Sequence, residues 1–399
     1  MSSSLFQKES MSILGMLVLV NIIGIFTDKI PLQFNITLQS VLIISLGAFK
    51  SVEELLKQMK RIHIDKLGGS DSVEKMSFSD AWQFPIMAGV TLCSMYFAME
   101  YFGKEAVNYF VLFYIACGGS QGIKALINAI SPGSFDHMDK ENVVDINIKL
   151  IGLELQMSIF DFICLFISYI AMGFYVWSES FIFNNLLATI FTLHALQSTF
   201  ISNFKNGFLL LILLFFYDIF FVFGTDVMLT VAKGIKGPIK IQFPRDYSGE
   251  KPEYGILGLG DLVIPGVVVT LALRFDILKS IDVEKLSNMF VKEQEGGDVN
   301  TMQFLMKKAS TCKKTYFTAI LLGYFFAIIA TIVVMFVFDH GQPALLYLVP
   351  GCILSLVLTS MYQGEFSTLW NFDEDPYITA PGEDSDEDED DKKDSKKDK

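Results

Sequence analysis

The chain has 399 residues, 52% of them hydrophobic, and a mean hydropathy of +0.44. That composition excludes an ordinary soluble domain of this length and points to a protein that lives in a bilayer. The formal net charge of −13 is mostly local, because 14 acids and 5 lysines fall from Glu365 onward. Such a run is solvated, is expected to be disordered, and says little about partners of the rest.

A spanning helix needs about 20 mostly apolar residues. In chain order, candidates lie near 11–26, 36–50, 83–101, 107–130, 155–176, 180–199, 207–232, 257–278, 315–339 and 343–360. They predict an all-α polytopic membrane protein with no room for a large soluble domain. The first, MSILGMLVLVNIIGIF, is short and suits either a signal-peptide core or an extra anchor helix. Its flank MSSSLFQKES lacks a clear positive region, and no clean cleavage site follows. The organisation expected is a signal-like or anchoring segment at 1–30, an N-terminal bundle of about five helices at 31–206, a catalytic membrane region at 207–364 and a disordered acidic tail at 365–399.

Lysine and arginine set the expected orientation. The 51–82 and 279–314 connections are lysine-rich and should face the cytoplasm, which places the C-terminal tail there too. The basic residues of 233–256 conflict with this count, and the larger number decides. Asn35-Ile36-Thr37 is the only N-x-S/T sequon. It abuts an apolar segment and is expected to be unused. The terminal KKDK has the lysine spacing of an endoplasmic reticulum retrieval signal, although chance in a lysine-rich tail explains it as well.

Several chemistries lack material. Cys93, Cys117, Cys164, Cys312 and Cys352 show no paired spacing, so neither a disulfide framework nor a zinc site is expected. Four scattered histidines and no H-E-x-x-H exclude a zincin-type site, and no metal is expected. No basic aromatic patch suggests a nucleic-acid partner.

The informative residues are acids inside apolar runs, since a charge at the bilayer centre costs several kcal/mol and needs a function or a partner. Glu100, Glu154 and Asp276 sit near segment ends and can reach the interface. Asp226 lies beyond Gly224, towards a loop. Asp161, in SIFDFICLF, is deeper, and a structural hydrogen bond to a neighbouring helix explains it best. Asp218 and Asp261 remain. Asp218 follows Tyr217, whose hydroxyl can donate nearby, within FFYDIFFVFGTDV. Asp261 ends Gly258-Leu259-Gly260-Asp261, whose glycines allow close backbone approach at a cost in helix stability. The two acids fall on consecutive antiparallel segments and can share one site. Carboxylates about 3 Å apart cannot both ionise easily, so they hold one proton between them. One member is then a general base for water, and the other an acid that polarises a peptide carbonyl. Asp218 is mid-segment as drawn and Asp261 near a segment start, so they meet only if GILGLG lies at membrane depth in non-helical form, lining a wet pocket.

Tyr217-Asp218, Gly258-Leu259-Gly260-Asp261 and Pro343-Ala344-Leu345, in this order, resemble the three signatures of the presenilin-type intramembrane aspartyl proteases, in their signal peptide peptidase branch. The surroundings FYDIFFVFGTDVM, GLGDLVIPG and GQPALLYLVPG carry the resemblance further. It covers about 36–364 and implies a nine-helix bundle, to which 11–26 would add a tenth helix. It implies Asp218 and Asp261 as the catalytic pair. Pro343, Ala344 and Leu345 would shape the floor and hold substrate, with Tyr217, Gly258, Leu259, Gly260 and Gln342 completing the surroundings. It further implies cleavage of type II transmembrane helices, notably leftover signal peptides, in the endoplasmic reticulum membrane without a cofactor. The partners it allows are such helices, the bilayer, a homo-oligomer and an endoplasmic reticulum degradation complex.

The loop stretch Pro238–Pro244 alternates apolar and polar residues with the period of a strand. A strand there could pair with an unwound substrate by β-augmentation. Two rival readings use the same sequence. Gly118-Gly119-Ser120-Gln121-Gly122 matches G-x-S-x-G, with His194 on another segment, as a serine protease would need. That motif requires a strand-turn-helix setting absent here, and small residues in membrane helices usually serve packing. A transporter or ion-leak channel could use the intramembrane acids as a cation path, but it does not account for GLGD and PAL together.

Overall fold

The computed structural model describes residues 12–16, 18–22, 32–63, 76–130, 142–148, 153–178, 180–246, 253–294, 300–338 and 342–378. Residues 1–11, the KKDK end and most of the acidic tail lie outside the described residues. Within 11–26, residues 12–16 and 18–22 are helical. The long helices that follow are α1 (Leu32–His63), α2 (Phe78–Phe102), α3 (Lys104–Ile130), α4 (Ile159–Ser178), α5 (Phe181–Ser198) and α6 (Phe204–Phe223). A short α7 (Val227–Gly234) leads to α8 (Gly260–Leu278), α9 (Val283–Gln294), α10 (Thr301–Thr311), α11 (Thr315–Phe338), α12 (Leu345–Gln363), α13 (Phe366–Trp370) and α14 (Asp375–Ile378). Among the described residues, six helices are long and apolar enough to cross a membrane by length and composition. The all-α polytopic expectation therefore holds, with two small additions. Antiparallel hairpins join Asn142–Ile148 (β1) to Leu153–Ser158 (β2), and Lys240–Asp246 (β3) to Glu253–Gly258 (β4).

Three boundaries differ from the apolar segments, each for a local reason. Helix α1 runs past 50 because SVEELLKQMK is amphipathic. Val52, Leu55, Leu56 and Met59 recur at helical spacing and are at most 1% exposed, and Lys57 pairs with Glu53 at 3.2 Å. The segment drawn at 155–176 starts inside β2, where Leu153, Leu155 and Met157 alternate with polar residues. The segment drawn at 207–232 breaks at Gly224, whose N–H closes α6 on the Phe220 carbonyl at 2.9 Å. The sequon falls inside α1, where Asn35 is 1% exposed, so the expectation that it goes unused fits its burial.

Helix α8 is the hub. It packs on α1, α5, α6, α11 and α12, and every residue from Pro265 to Leu278 is buried. A helix buried all round belongs to the interior rather than to a lipid face. It carries Asp261, Arg274 and Asp276, which is how an interior helix can be less apolar than its neighbours. Helices α11 and α12 pack so closely that a Cβ at Gly323 would lie 2.6 Å from the Gly351 carbonyl oxygen. Small residues allow such approach where lipid supplies no hydrophobic drive between helices. The close pair fixes the start of α12, which forms one wall of the site described next.

Candidate active site

Asp218 lies on α6 five residues before its end at Phe223, about 7 Å along the axis. It is therefore not mid-helix, as the longer sequence segment suggested. Asp261 is the second residue of α8. Of GILGLG before it, Gly255–Gly258 are strand and Leu259 is a bend, and only Gly260 is helical. The early end of α6 removes most of the depth mismatch, and the chain before α8 has the non-helical form that a shared site requires. Helix α6 packs on α8, and both pack on α12.

The third wall is the start of α12. Pro343 and Leu345 are buried, and Ala344 and Gln342 are half-buried. The first N–H groups of a helix have no partner within it. That of Leu346 bonds to the Pro343 carbonyl, and those of Tyr347 and Leu348 to Ala344, but that of Leu345 has no such partner. It donates instead to Asp218 Oδ2 at 3.0 Å. Asp218, only 3% exposed, thus fixes α12 to α6 through one carboxylate oxygen and leaves Oδ1 to other use.

Around Asp261 the backbone is held in a matching way. Pro265 has no N–H, so the Asp261 carbonyl lacks its usual helical donor. The Tyr324 hydroxyl of α11 donates to it at 3.4 Å. A Cβ at Gly258 would lie 3.5 Å from Asp261 Oδ2, in ordinary contact, so Gly258 borders the carboxylate. Tyr217 packs its ring on Phe221 at 4.6 Å and faces Gly89 of α2. Its hydroxyl makes no hydrogen bond among the described residues.

With the three motifs assembled at one place, the comparisons with known proteins become informative. The family model described as signal peptide peptidase matches residues 68–376, which contain all three. The chain belongs to the signal peptide peptidase family. It is 33% identical over 317 residues to the signal peptide peptidase of Homo sapiens, covering 76% of each chain. Over 199 residues it is 39% identical to intramembrane protease 2 of Caenorhabditis elegans, covering 49% of this chain and 39% of that one. A probable intramembrane protease of Schizosaccharomyces pombe is 31% identical over 292 residues, 72% of this chain and 81% of that one. As a member of this family, the chain is a multi-pass intramembrane protease, and its substrates are transmembrane helices.

The remaining acids sort themselves. Glu100 and Asp226 are exposed; the side chain of Glu154 lies outside the described residues. Asp161 does bond to a neighbouring helix, through Lys124 of α3 at 2.8 Å. It is not deep in its segment, however. It sits in the first turn of α4 and accepts from the Ser158 backbone N–H at 2.9 Å. Asp276 does lie near a helix end, two residues before α8 finishes, but it is not solvated there. It is 1% exposed and accepts the N–H of Phe317, in the first turn of α11, at 2.9 Å. Ser120 lies within helix α3 and donates to the Cys117 carbonyl at 2.6 Å, so no strand-turn-helix elbow exists there. Two of its glycines serve packing, since a Cβ at Gly119 would meet Phe191 of α5 at 2.7 Å and one at Gly122 would meet Ile190 at 3.1 Å, whereas Gly118 has nothing within 4 Å.

Two amides in α5 escaped the sequence reading. Asn184 donates to the Lys240 carbonyl at 2.7 Å. Asn185 takes both backbone groups of Gln242, accepting its N–H and donating to its carbonyl, each at 2.9 Å. Adjacent asparagines in an apolar helix were the available signal, because a buried amide needs partners.

Proposed function

We propose that this chain is an aspartyl endopeptidase of the endoplasmic reticulum membrane that cuts transmembrane helices of type II orientation, leftover signal peptides among them. The observation that carries the reading is the Leu345 amide bonded to Asp218 where α6, α8 and α12 pack on one another, with Asp261 in the first turn of α8. The ionised aspartate takes a proton from water as the oxygen attacks the scissile carbonyl, while the protonated one gives its proton to that oxygen. Collapse of the tetrahedral intermediate expels the amine with a proton returned by the pair. Pro343, Ala344 and Leu345 form the floor, Gly258 and Gly260 give the substrate backbone room, and Tyr217, Leu259 and Gln342 line the approach. The lysine-rich 279–314 connection and the segment after α12 meet at one end, through Lys279 and Glu365 at 2.9 Å, which we take as cytoplasmic.

The test is cleavage of a type II transmembrane reporter in detergent by the wild type, Asp218→Ala and Asp261→Ala. Activity lost in both folded variants supports the shared site. Cleavage that survives either change overturns the aspartyl mechanism. Ion flux without cleavage would favour the channel reading.

Helical peptide bonds must be unwound before they are cut, and the hairpin suggests where the unwound strand pairs. Gln242 is opposite Ile256, and both backbone groups of Gln242 point away from β4, to Asn185. In an antiparallel ladder that makes 242 and 256 a non-hydrogen-bonded pair, so the N–H and carbonyl of Ile256 face outward from β4. Asn185 occupies the outer edge of β3, which leaves β4 as the edge for a substrate strand, five residues before Asp261. Proline at Ile241 would break the hairpin itself, so Ile256 is the informative position. Ile256→Pro removes one outward donor and no ladder bond. Cleavage should fall about tenfold, with Ile256→Ala close to wild type. Unchanged cleavage in the proline variant sinks the pairing idea.

A further inference from the structure

At the end of the bundle away from the aspartates, α8 finishes, α11 begins and α12 finishes at one level. Between them and α10 opens a cavity of about 480 Å³. Its charged lining is Lys279, Lys308, Lys313 and a single carboxylate, Asp276, with the hydroxyls of Ser280 and Thr311 beside them. Lys279 is committed to Glu365 at 2.9 Å and stands 4.6 Å over the Tyr316 ring. Lys308 makes only a long contact to Ser280 Oγ, 3.5 Å, and Lys313 forms no ion pair among the described residues. Two cations therefore face the cavity without an acid of their own.

Asp276 supplies the second half of the pattern. Its Oδ2 accepts the Phe317 N–H, but Oδ1 has no hydrogen bond and sits 4.0 Å from Lys279 Nζ. A buried acceptor without a donor is costly, and a ligand can cancel that cost. A bare anion would be repelled by this oxygen. A phosphate carried on a polyol would not be, because a ring hydroxyl can donate to Oδ1 while the phosphate lies between Lys308 and Lys313. Basic pockets between membrane helices at headgroup level suit such ligands.

We propose that this cavity binds a phosphorylated polyol headgroup of the inositol phosphate class, supplied by a lipid or free in solution, and that it braces α8 against α11 and α12. Phosphate charge pairs with Lys308 and Lys313, and a hydroxyl satisfies Asp276 Oδ1. The site is separate from the aspartate pair and does not depend on how that pair works.

The full chain would be placed in phosphatidylcholine nanodiscs with or without a monophosphorylated phosphatidylinositol, and in detergent with the soluble deacylated headgroup or with inorganic phosphate. Binding would be read by native mass spectrometry and by the shift in thermal unfolding. The wild type should bind the polyol phosphate, and Lys308→Gln/Lys313→Gln should bind it about thirtyfold more weakly. Both lysines are outside the catalytic machinery, so reporter cleavage should be unchanged and serves as the folding control. Binding of the nanodisc lipid alone assigns a lipid source, and equal binding of the soluble headgroup assigns a free one. Equal binding by the wild type and the double variant overturns the site. Inorganic phosphate binding as well as the headgroup overturns the part given to Asp276.

Discussion

Changing either Asp218 or Asp261 to asparagine is expected to slow cleavage of a type II reporter by about a thousandfold or more, with the fold intact. Asparagine keeps the shape of the carboxylate and the carbonyl oxygen that Leu345 N–H needs at position 218, so α12 should stay anchored to α6. It cannot accept a proton from water or deliver one to a carbonyl. In the proposed mechanism the two acids act as one unit, so the double asparagine variant should be no slower than the worse single one. The rate should also be bell-shaped in pH. The working state of the proposed pair would hold one proton, so activity should fall at low pH, where no base remains, and at high pH, where no acid remains. Initial rates across pH for the wild type, both singles and the double variant would check this. Additive losses would show that the acids do not share a step, and a flat profile would remove acid–base chemistry from the limiting step.

Much of this site was legible because membrane burial makes charge expensive. Asp218 and Asp261 stand out against an apolar background, and the glycines before Asp261 have no helical reason to be there. Where the helices stop was less visible. Hydropathy carries α6 smoothly through Gly224 into α7, since both sides of the break are apolar. Only the bond geometry reveals that Asp218 is near an end. The same blindness made Asp276 look like a solvated acid at a segment end, although α11 starts beside it and takes its carboxylate as a cap. The role of Leu345 was hidden for another reason. Its contribution is a backbone N–H, and no side-chain motif records which orphan amide a helix start will present. Tyr324 likewise acts on a carbonyl freed by Pro265, a relation between residues far apart in the chain.

Arg274→Met is expected to destabilise the protein by about 3–5 kcal/mol, whereas Arg274→Met combined with Glu374→Leu should be neutral or more stable than wild type. Arg274 is fully buried on α8, its Nε 3.3 Å from Glu374 Oε1, and its guanidinium lies 4.7 Å from the Phe200 ring centroid. Glu374 is 1% exposed and sits between α13 and α14, where its N–H bonds to the Ser202 carbonyl at 3.0 Å. Phe372 packs edge-on against Phe275 at 4.8 Å in the same cluster. The pair therefore joins the segment after the last long helix to the hub helix that carries Asp261. Taking away the cation alone leaves a carboxylate in a dry interior, a far larger loss than the attraction between the two charges returns. Replacing both removes the desolvation cost together with the attraction. Thermal unfolding of the single and double variants in one detergent separates these cases, and reporter cleavage shows whether the segment's hold on α8 reaches the site. If Arg274→Met unfolds within a degree of wild type, the pair does not hold the segment. If the double variant is stable but cleaves slowly, the charges serve the register of α8 rather than its stability.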